Sequence, residues 1–279
     1  MTPRAFVYIR DLPHYRCGAF CEGAKRAGFE VRRSGSDFRP GDVLIIWNRY
    51  GQYDSLAMQA GRAGAIVLVS ENGFAGRDAN GNQFYQLAVG GHNGSGWWHV
   101  GNEDRLAKQG LVMQPWQPTS PEAHVVVRGQ RGIGRPGVAS PPDWHNQAAH
   151  LLRQHTKRRI AVVPHPGNGA VDDTRHEQYL KGAHALAIWA SSVGVKALLA
   201  GVPVLCDAKY WICRGASHPL WDVERVDLRT AHYDEHRRRA LHSMAWAQWS
   251  LEELASGEPM RLLVDKYQEH LQRTEALTA

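Results

Sequence analysis

Short apolar runs that alternate with glycine-terminated helical segments are the feature that most constrains this chain. The runs at 42–47 and 65–70 are rich in β-branched side chains, and a segment with helical spacing, 54–64, separates them. A helical connection of this length allows the second strand to lie beside the first in the same direction. The pattern therefore predicts an α/β fold built on parallel sheets.

The same alternation occurs in two series along the chain. The first series predicts strands at 5–10, 29–33, 42–47 and 65–70 and helices at 17–28 and 54–64. The second predicts strands at 124–130, 159–165, 183–190 and 202–206 and helices at about 144–156, about 174–181 and from Val193 onward. The proline-rich segment 114–122 separates them, and helical patterns follow residue 232. We therefore predict two Rossmann-like domains, 1–118 and 119–232, which face a cleft, and C-terminal helices over 233–279.

Composition narrows the class of protein. Hydrophobic residues make up 43% and charged residues 22% of the chain, as in globular domains. No apolar run is long enough to span a membrane, and the first residues lack the apolar core of a signal peptide. The four cysteines form no C-x-x-C pair, so we expect a reducing, cytoplasmic setting. Cys17 and Cys21 could bind a metal ion with His14, but packing on one helix face is the favoured interpretation.

The net charge is positive. A formal charge of +6 and a pI near 9.2 suit a polyanionic partner such as nucleic acid. Basic segments occur at 32–33, 157–159 and 237–239, and clustered cations supply the phosphate-backbone component of DNA affinity. The same segments also fit solvated helix faces of a basic protein without such a partner. Double-stranded DNA is therefore a candidate partner.

Three polar segments follow predicted strands of the second series. Ligands of open parallel sheets bind beyond the carboxyl ends of the strands. In the first segment, 130–135, glycines allow close backbone approach, and Arg131 or Arg135 could bind phosphate in a bidentate manner. A flexible surface loop with solvated arginines is the alternative.

The other two segments contain a histidine and a pair of serines. His165 lies in the loop 164–169, where it could donate a hydrogen bond to an anionic oxygen, although a lone histidine is often structural. Ser191 or Ser192 could cap a helix whose free N–H groups favour an anion, and Gly194 would keep a side chain out of the path of the ligand. Ordinary helix packing is the alternative for the serines.

The three segments together resemble the nucleotide-sugar-binding half of a GT-B glycosyltransferase. The order strand-QRGIG, strand-HPG and SSVGxxALLAGVPV carries this resemblance, with HP and SS elements similar to those of capsule-type and sialyltransferase-like enzymes. The chain is more similar still to glycosyltransferase-like proteins of tailed phages, which share WNRY (47–50), ENGF (71–74) and HNG (92–94). The resemblance covers about residues 42–207.

The resemblance implies a donor site and a class of donor. It implies that His165, Ser191 and Ser192 bind the phosphate of a nucleotide sugar, UDP- or CMP-linked, with Gln130, Arg131, Gly132 and Lys196 as neighbours. GT-B enzymes generally need no metal, and the chain has no DxD motif. We therefore expect no metal site and no cofactor beyond the sugar donor. Asp207 or Asp222 could contact the ribose or sugar hydroxyls.

The catalytic base is expected in the first domain. Glu71 directly follows the strand predicted at 65–70 and is the first choice, before His92 and Asp54. Glu71 could instead brace a loop by accepting backbone N–H bonds. Asn72, His92 and Asn93 would then hold acceptor or sugar hydroxyls. Trp97 and Trp98 could stack on a base or sugar, with packing as the favoured alternative.

These residues predict a metal-independent glycosyltransferase that moves a sugar from a nucleotide donor to a hydroxyl. The resemblance makes a hydroxymethylated base of phage DNA the expected acceptor, which the enzyme would reach by base flipping. Three alternatives stay open: a polysaccharide glycosyltransferase, a non-hydrolysing sugar-nucleotide epimerase, and a non-catalytic GT-B scaffold that binds DNA or a nucleotide.

Overall fold

The computed structural model describes residues 2–165, 178–225 and 231–278. The chain forms two compact units, the first from Met1–Glu103 with Ala245–Ala279 and the second from Asp104–Met244. The predicted α/β class is confirmed, because each unit contains a β-sheet flanked by helices. The part of the predicted C-terminal helical segment from Ala245 onward thus belongs to the first unit, whereas 104–118 and 233–244 belong to the second. The domain bounds drawn from the sequence group these segments differently and stay a prediction.

The sheet of the first unit is mixed. Its strands are β1 Arg4–Tyr8, β2 Glu30–Arg32, β3 Val43–Trp47, β4 Ile66–Arg77, β5 Gln83–Val89 and β11 Gln248–Trp249, in the spatial order β11-β5-β4-β3-β1-β2. Strands β1 to β4 pair in parallel, as predicted. Strand β5 is antiparallel to both β4 and β11. The first unit therefore does not contain the all-parallel, Rossmann-like sheet that the sequence predicted.

Two helices cover the opposite faces of this sheet. They are α1 Cys17–Arg26 and α2 Gln52–Arg62. Phe20 of α1 packs in one core cluster with Val7 and Ile45. Ala60 of α2 packs in a second cluster with Phe6. Because neighbouring residues of β1 point to opposite faces, the two clusters lie on the two sides of the sheet.

The polar, glycine-rich segment 71–101 is not one continuous loop after the strand predicted at 65–70. Strand β4 continues to Arg77, and β5 returns beside it as the second strand of a hairpin. The carboxylate of Asp78 closes the turn by accepting the backbone N–H groups of Asn80 at 3.0 Å and Asn82 at 2.8 Å. The pairing register shifts between Asn72 and Arg77, so β4 carries a bulge directly after Asn72.

The sheet of the second unit is parallel throughout. Its strands are β6 Val125–Arg128, β7 Ile160–Val163, β8 Ala185–Ile188, β9 Val204–Cys206 and β10 Ser217–His218, in the order β10-β9-β8-β6-β7. The four strands predicted from the sequence are confirmed, and β10 was not predicted. The helices are α3 Arg105–Lys108, α4 Trp144–His155, α5 Val193–Leu199 and α6 Ala231–Ala245. Most of the helix predicted at about 174–181 lies outside the described residues.

The proline-rich segment that follows α3 pairs with the end of α5. The backbone N–H of Gln114 donates to the carbonyl of Leu199, and that of Gln117 donates to the carbonyl of Gly201, both at 2.8 Å. A side chain at Gly201 would overlap the carbonyl group of Pro115. Glycine is therefore required at this helix end, because the segment crosses it so closely.

The helices predicted at the C-terminus are present. After α6, α7 spans Leu251–Ser256 and α8 spans Glu258–Thr278. A side chain at Gly23 of α1 would overlap the carbonyl oxygen of Leu254, so this glycine allows α7 to pack directly on α1. A capping box of Ser250 and Glu253 starts α7. Across the described residues, no helix combines the length and the apolar character needed to cross a bilayer.

Candidate functional site

The carboxyl ends of the parallel strands in the second unit collect the polar segments singled out in the sequence. Gln130 lies two residues after β6, His165 two residues after β7, and Ser191 three residues after β8. Asp207 directly follows β9. The strands β6, β7, β8 and β9 are neighbours in the sheet, so these residues lie along one edge. The remainder of the predicted loop 164–169 lies outside the described residues.

Two contacts hold the loops of this edge together. The side-chain oxygen of Gln130 accepts the backbone N–H of Ala190 at 2.9 Å, which joins the loops after β6 and β8. The guanidinium of Arg128, buried at the end of β6, donates to the carbonyl of Pro164 at 2.6 Å, which joins the loops after β6 and β7. A side chain at Gly129 would press on the backbone of His165. The three loops therefore form one connected surface.

The loops after β6 and β7 adjoin two arginines and a histidine. Arg131 is exposed, and its charge lowers the pKa of the half-buried His165. Burial is the larger cause of that shift, and the charge of Arg128 adds to it. Burial also lowers the pKa of Arg128. The imidazole is therefore neutral at neutral pH, and an anion bound beside it would draw a proton onto it.

The two serines differ in their contacts. The hydroxyl of Ser191 accepts the backbone N–H of Val193 at 3.3 Å, a long bond at the start of α5. Ser192 occupies the N-cap position, but its side chain makes no capping bond. Of the two serines considered as caps, Ser191 is thus the one whose hydroxyl contacts the first turn of α5. Since α5 has only seven residues, an anion at this edge would depend chiefly on the side chains of Arg131 and His165.

The structure gives the predicted glycines and lysine specific surroundings. A side chain at Gly194 would overlap Ile188 and the indole of Trp211 at 2.5 Å, so this glycine permits helix packing. The role expected for Gly194, to keep a side chain out of the path of the ligand, is therefore not needed to explain the glycine at this position. A side chain at Gly132 would lie 3.1 Å from the carbonyl oxygen of Ser140. Lys196 is half-buried in α5.

Asp207 is oriented by an indole that the sequence analysis did not connect with it. The Nε1–H of Trp144, at the start of α4, donates to a carboxylate oxygen of Asp207 at 2.9 Å. Asp207 is nevertheless exposed. Asp222, the alternative, pairs with Arg225 at 3.4 Å. Asp207 is therefore the acidic residue that adjoins the loops of this edge.

In the first unit, Glu71 is not at the end of a strand as predicted. It lies within β4, directly after Ser70, the residue that pairs with the last residue of β3. Its position is therefore level with the carboxyl end of β3, while β4 continues past it. One carboxylate oxygen of Glu71 accepts the backbone N–H of Asn72 at 3.0 Å, which is the bracing role considered as its alternative.

Asn72 and Asn93 are brought together by a glutamine that the sequence analysis missed. The side-chain amide of Gln86 donates to the carbonyl of Asn72 at 2.7 Å and to the side-chain oxygen of Asn93 at 3.1 Å. Its oxygen accepts the backbone N–H of Asn93 at 3.0 Å. Gln83 adds a bond to the Asn72 side chain at 2.7 Å. These four amide side chains form a continuous group beside the bulge.

The remaining first-unit predictions are buried or packed. His92 is only 2% exposed, so its ring does not face solvent. Trp97 stacks on His270 at 5.5 Å and lies tilted against Tyr267 at 5.3 Å, both on α8, and Trp98 packs against the same core. Packing, the favoured interpretation of this doublet, describes these contacts.

The alternative metal site at Cys17 and Cys21 does not fit its surroundings. The two sulfurs lie 3.8 Å apart, and the guanidinium of Arg33 contacts both of them. A fixed cation between two thiols opposes a bound metal ion. In the part of the chain that the structure describes, no three histidine, cysteine or acidic side chains come together as metal ligands would.

Comparison with known proteins identifies the fold. No protein-family model and no curated protein matches the sequence. The β-Kdo 2,4 transferase of Thermosulfurimonas dismutans KpsC matches in structure with a TM-score of 0.50 and 15% identity, over 88% of this chain and 90% of that chain. The β-Kdo 2,7 transferase of the same protein matches with a TM-score of 0.49 and 14% identity, over 91% and 97%. The first of these likenesses shows a mixed α/β fold consistent with the GT-B arrangement.

Proposed function

We propose that this chain is a glycosyltransferase that moves a sugar from a nucleotide-sugar donor to a hydroxyl group. The observation that carries the proposal is the connected surface at the carboxyl edge of the second sheet, on a fold shared with a Kdo transferase. Such an edge is where open parallel sheets bind nucleotides.

The donor phosphate is proposed to bind at this edge. Arg131 supplies a charge that can bond two phosphate oxygens, and His165 supplies a ring N–H donor. Ser192, whose hydroxyl does not cap α5, supplies a further donor. Gln130 and Ser191 act as positioning residues, since both bind backbone groups of the same loops. The exposed carboxylate of Asp207 would accept a hydrogen bond from a ribose or sugar hydroxyl.

The transfer step needs a base and a stabilised leaving group. The acceptor oxygen attacks the anomeric carbon of the donor sugar and loses its proton to Glu71. The bond between that carbon and the phosphate oxygen breaks, and its electron pair leaves on the phosphate. Arg131 and His165 then stabilise the added negative charge. The amide group of Asn72, Gln86 and Asn93 would orient the acceptor hydroxyl beside Glu71.

Two acceptors compete within this proposal. Resemblance to phage proteins favours a hydroxymethylated base of DNA, and the net charge of +6 suits that partner. The similar structure with a TM-score of 0.50 is named a Kdo transferase, which favours a glycan hydroxyl as the acceptor instead. Metal independence is also proposed, because the leaving phosphate would be stabilised by side chains.

The test is a transfer assay with matched arms. The protein is incubated with UDP-linked sugars and with CMP-linked sugars including CMP-Kdo, with hydroxymethylated duplex DNA, with a Kdo-terminated glycan, or with no acceptor. Nucleotide release and acceptor mass are measured with and without a chelator. Acceptor-dependent release with a matching gain in mass supports the proposal, and the acceptor arm identifies the substrate. Epimer formation without acceptor, or donor binding without product, would replace it with the epimerase or the non-catalytic scaffold.

A further inference from the structure

The first unit has its own topological switch point. Strand β1 lies between β2 and β3 and is parallel to both. The chain leaves β1 to form β2 on one side, and then crosses to form β3 on the other side. The helical connections diverge at such a point, and open α/β sheets bind ligands in the resulting crevice beyond the carboxyl ends of the two strands. In this unit the crevice is flanked by the residues that follow β1 and β3.

Asn48, the residue directly after β3, has a side-chain oxygen that no protein group satisfies within the described residues. It is 6% exposed and adopts a left-handed backbone conformation with φ of 60°. Its side-chain oxygen is buried and has no hydrogen-bond partner among the described residues. A buried oxygen without a partner is costly, and native structures usually satisfy such atoms with protein, water or ligand. Asn48 therefore supplies a hydrogen-bond acceptor at the crevice.

Arg10, two residues after β1, supplies a positive charge. It is exposed, and the side chain of Tyr53 is the main cause that raises the pKa of its guanidinium. None of the ion pairs found within the described ranges involves it. Arg49, beside Asn48, is different, because it is bound to Asp54 at 2.9 Å and to a backbone carbonyl at 2.6 Å. Arg10 is thus the arginine of this edge whose charge is left for a ligand.

Aromatic side chains surround this charge. Tyr50 is 45% exposed, and both Tyr50 and Tyr15 lie close enough to Arg10 to act on its charge. Tyr15 is held in place by the ring of Trp47, with centroids 4.8 Å apart in an edge-on arrangement. Exposed aromatic rings give a flat apolar surface on which the face of a sugar ring can pack.

We propose that the crevice at the ends of β1 and β3 binds an acidic, hydroxyl-bearing ligand, with Arg10 on its oxyanion and Asn48 accepting from one of its hydroxyls. The oxyanion is a carboxylate or a phosphate ester, and the ring of Tyr50 packs against the ligand body. Under the proposed function this ligand is the acceptor, or the part of it next to the reacting hydroxyl. Ligand binding itself does not depend on transfer, so it can be tested even if the proposed function fails.

The test uses three sugars that differ at one carbon. Glucuronate, glucose 6-phosphate and glucose are titrated into the full chain, and the dissociation constants are measured by calorimetry or NMR. We expect the two acidic sugars to bind at least about tenfold more tightly than glucose, since a charged hydrogen bond has that effect. The acidic sugar that binds more tightly shows whether the oxyanion is a carboxylate or a phosphate ester.

Variants assign the effect to the crevice. Arg10→Gln should lower the affinity for the two acidic sugars to the affinity for glucose. The control is Arg62→Gln, at an exposed arginine of α2, which should leave all three affinities unchanged. Asn48→Asp keeps the size of the side chain, and aspartate tolerates the left-handed backbone conformation. Its negative charge should weaken the binding of the acidic sugars more than the binding of glucose. Equal binding of all three sugars, no binding of the acidic sugars at millimolar concentrations, or an unchanged Arg10→Gln variant would overturn the proposal.

Discussion

The side-chain oxygen of Gln130 accepts the backbone N–H of Ala190 at 2.9 Å, and this bond joins two loops that belong to different strands. Replacing Gln130 by alanine leaves that N–H without its partner and loosens the surface proposed for the donor phosphate. We expect Gln130→Ala to weaken nucleotide-sugar affinity about fivefold, the effect of about 1 kcal/mol. Calorimetry measures it. Gln147→Ala, at an exposed position of α4, is the control, and equal affinities in the two variants would contradict the prediction.

Arg131 is proposed to contact the phosphate directly. Arg131→Ala should weaken nucleotide-sugar binding about tenfold or more, because it removes a charge-assisted bond. Arg131→Lys should recover only part of the affinity, since lysine cannot form the bidentate contact. The control is Arg153→Ala, an exposed arginine in the last turn of α4. If the control weakens binding as much as Arg131→Ala does, general charge rather than a specific contact is responsible.

His165 makes donor binding depend on pH. Burial first, and the charges of Arg131 and Arg128 second, lower the pKa of His165, so the free protein holds a neutral ring at pH 7. A bound phosphate favours the protonated ring, and donor affinity should therefore rise as pH falls below 7 and level off below the lowered pKa. The phosphates of a nucleotide sugar stay ionised over this range. His165→Gln should flatten the affinity profile between about pH 5 and 8. A slope that persists in the variant would exclude His165 as its source.

Glu71 is the proposed base. Glu71→Gln retains an oxygen that can accept the N–H of Asn72 and removes the group that takes the proton. We expect kcat to fall by about 10²- to 10⁴-fold with donor affinity unchanged. Steady-state kinetics and a donor titration measure the two effects separately. Glu30→Gln, at an exposed position of β2, is the control, and a kcat that Glu71→Gln leaves intact would remove Glu71 from the mechanism.

Gln248 is expected to control the stability of the first unit. Its side chain is fully buried, and it bonds the N–H of Phe74 at 2.8 Å and the carbonyl of Ala75 at 3.0 Å, inside the bulge of β4. Gln248→Leu leaves these backbone groups unsatisfied and should lower the free energy of unfolding by about 3 kcal/mol. Chemical denaturation measures the loss. The side chain of the exposed Gln59 donates to the carbonyl of Ser36 at 3.1 Å, and Gln59→Leu should cost well under 1 kcal/mol.

The periodic parts of the fold could be predicted from the sequence. Apolar runs such as 42–47 and 183–190 contain buried strands that pair in parallel with their neighbours, and periodicity reports burial directly. The hairpin after Ser70 could not be recognised in this way, because β4 changes from an apolar run to a polar, glycine-containing segment without ending. The Asn80-Gly81 pair was the available signal, since that dipeptide is typical of hairpin turns.

The candidate site was predictable only as a set of strand ends. Residues such as Arg131, His165 and Ser191 follow strands that a sequence pattern can locate, and the parallel order brings them to one edge. The contacts that shape the site join positions distant in the sequence, as in the bond of Trp144 to Asp207 and that of Gln86 to Asn93. No local pattern indicates such pairs. Packing requirements also explained Gly194 better than a ligand did.

Hydrogen–deuterium exchange with and without a nucleotide sugar tests the central claim most directly. The claim is that the loops after β6 and β8 hold the donor phosphate. The donor is added at a concentration that calorimetry shows to be saturating for the wild-type protein. We expect the donor to slow exchange in the wild-type peptides that cover 129–135 and 189–196. In Arg131→Ala, the same donor concentration should not slow exchange in these peptides. A donor that binds the wild-type protein and slows exchange in neither segment would contradict it.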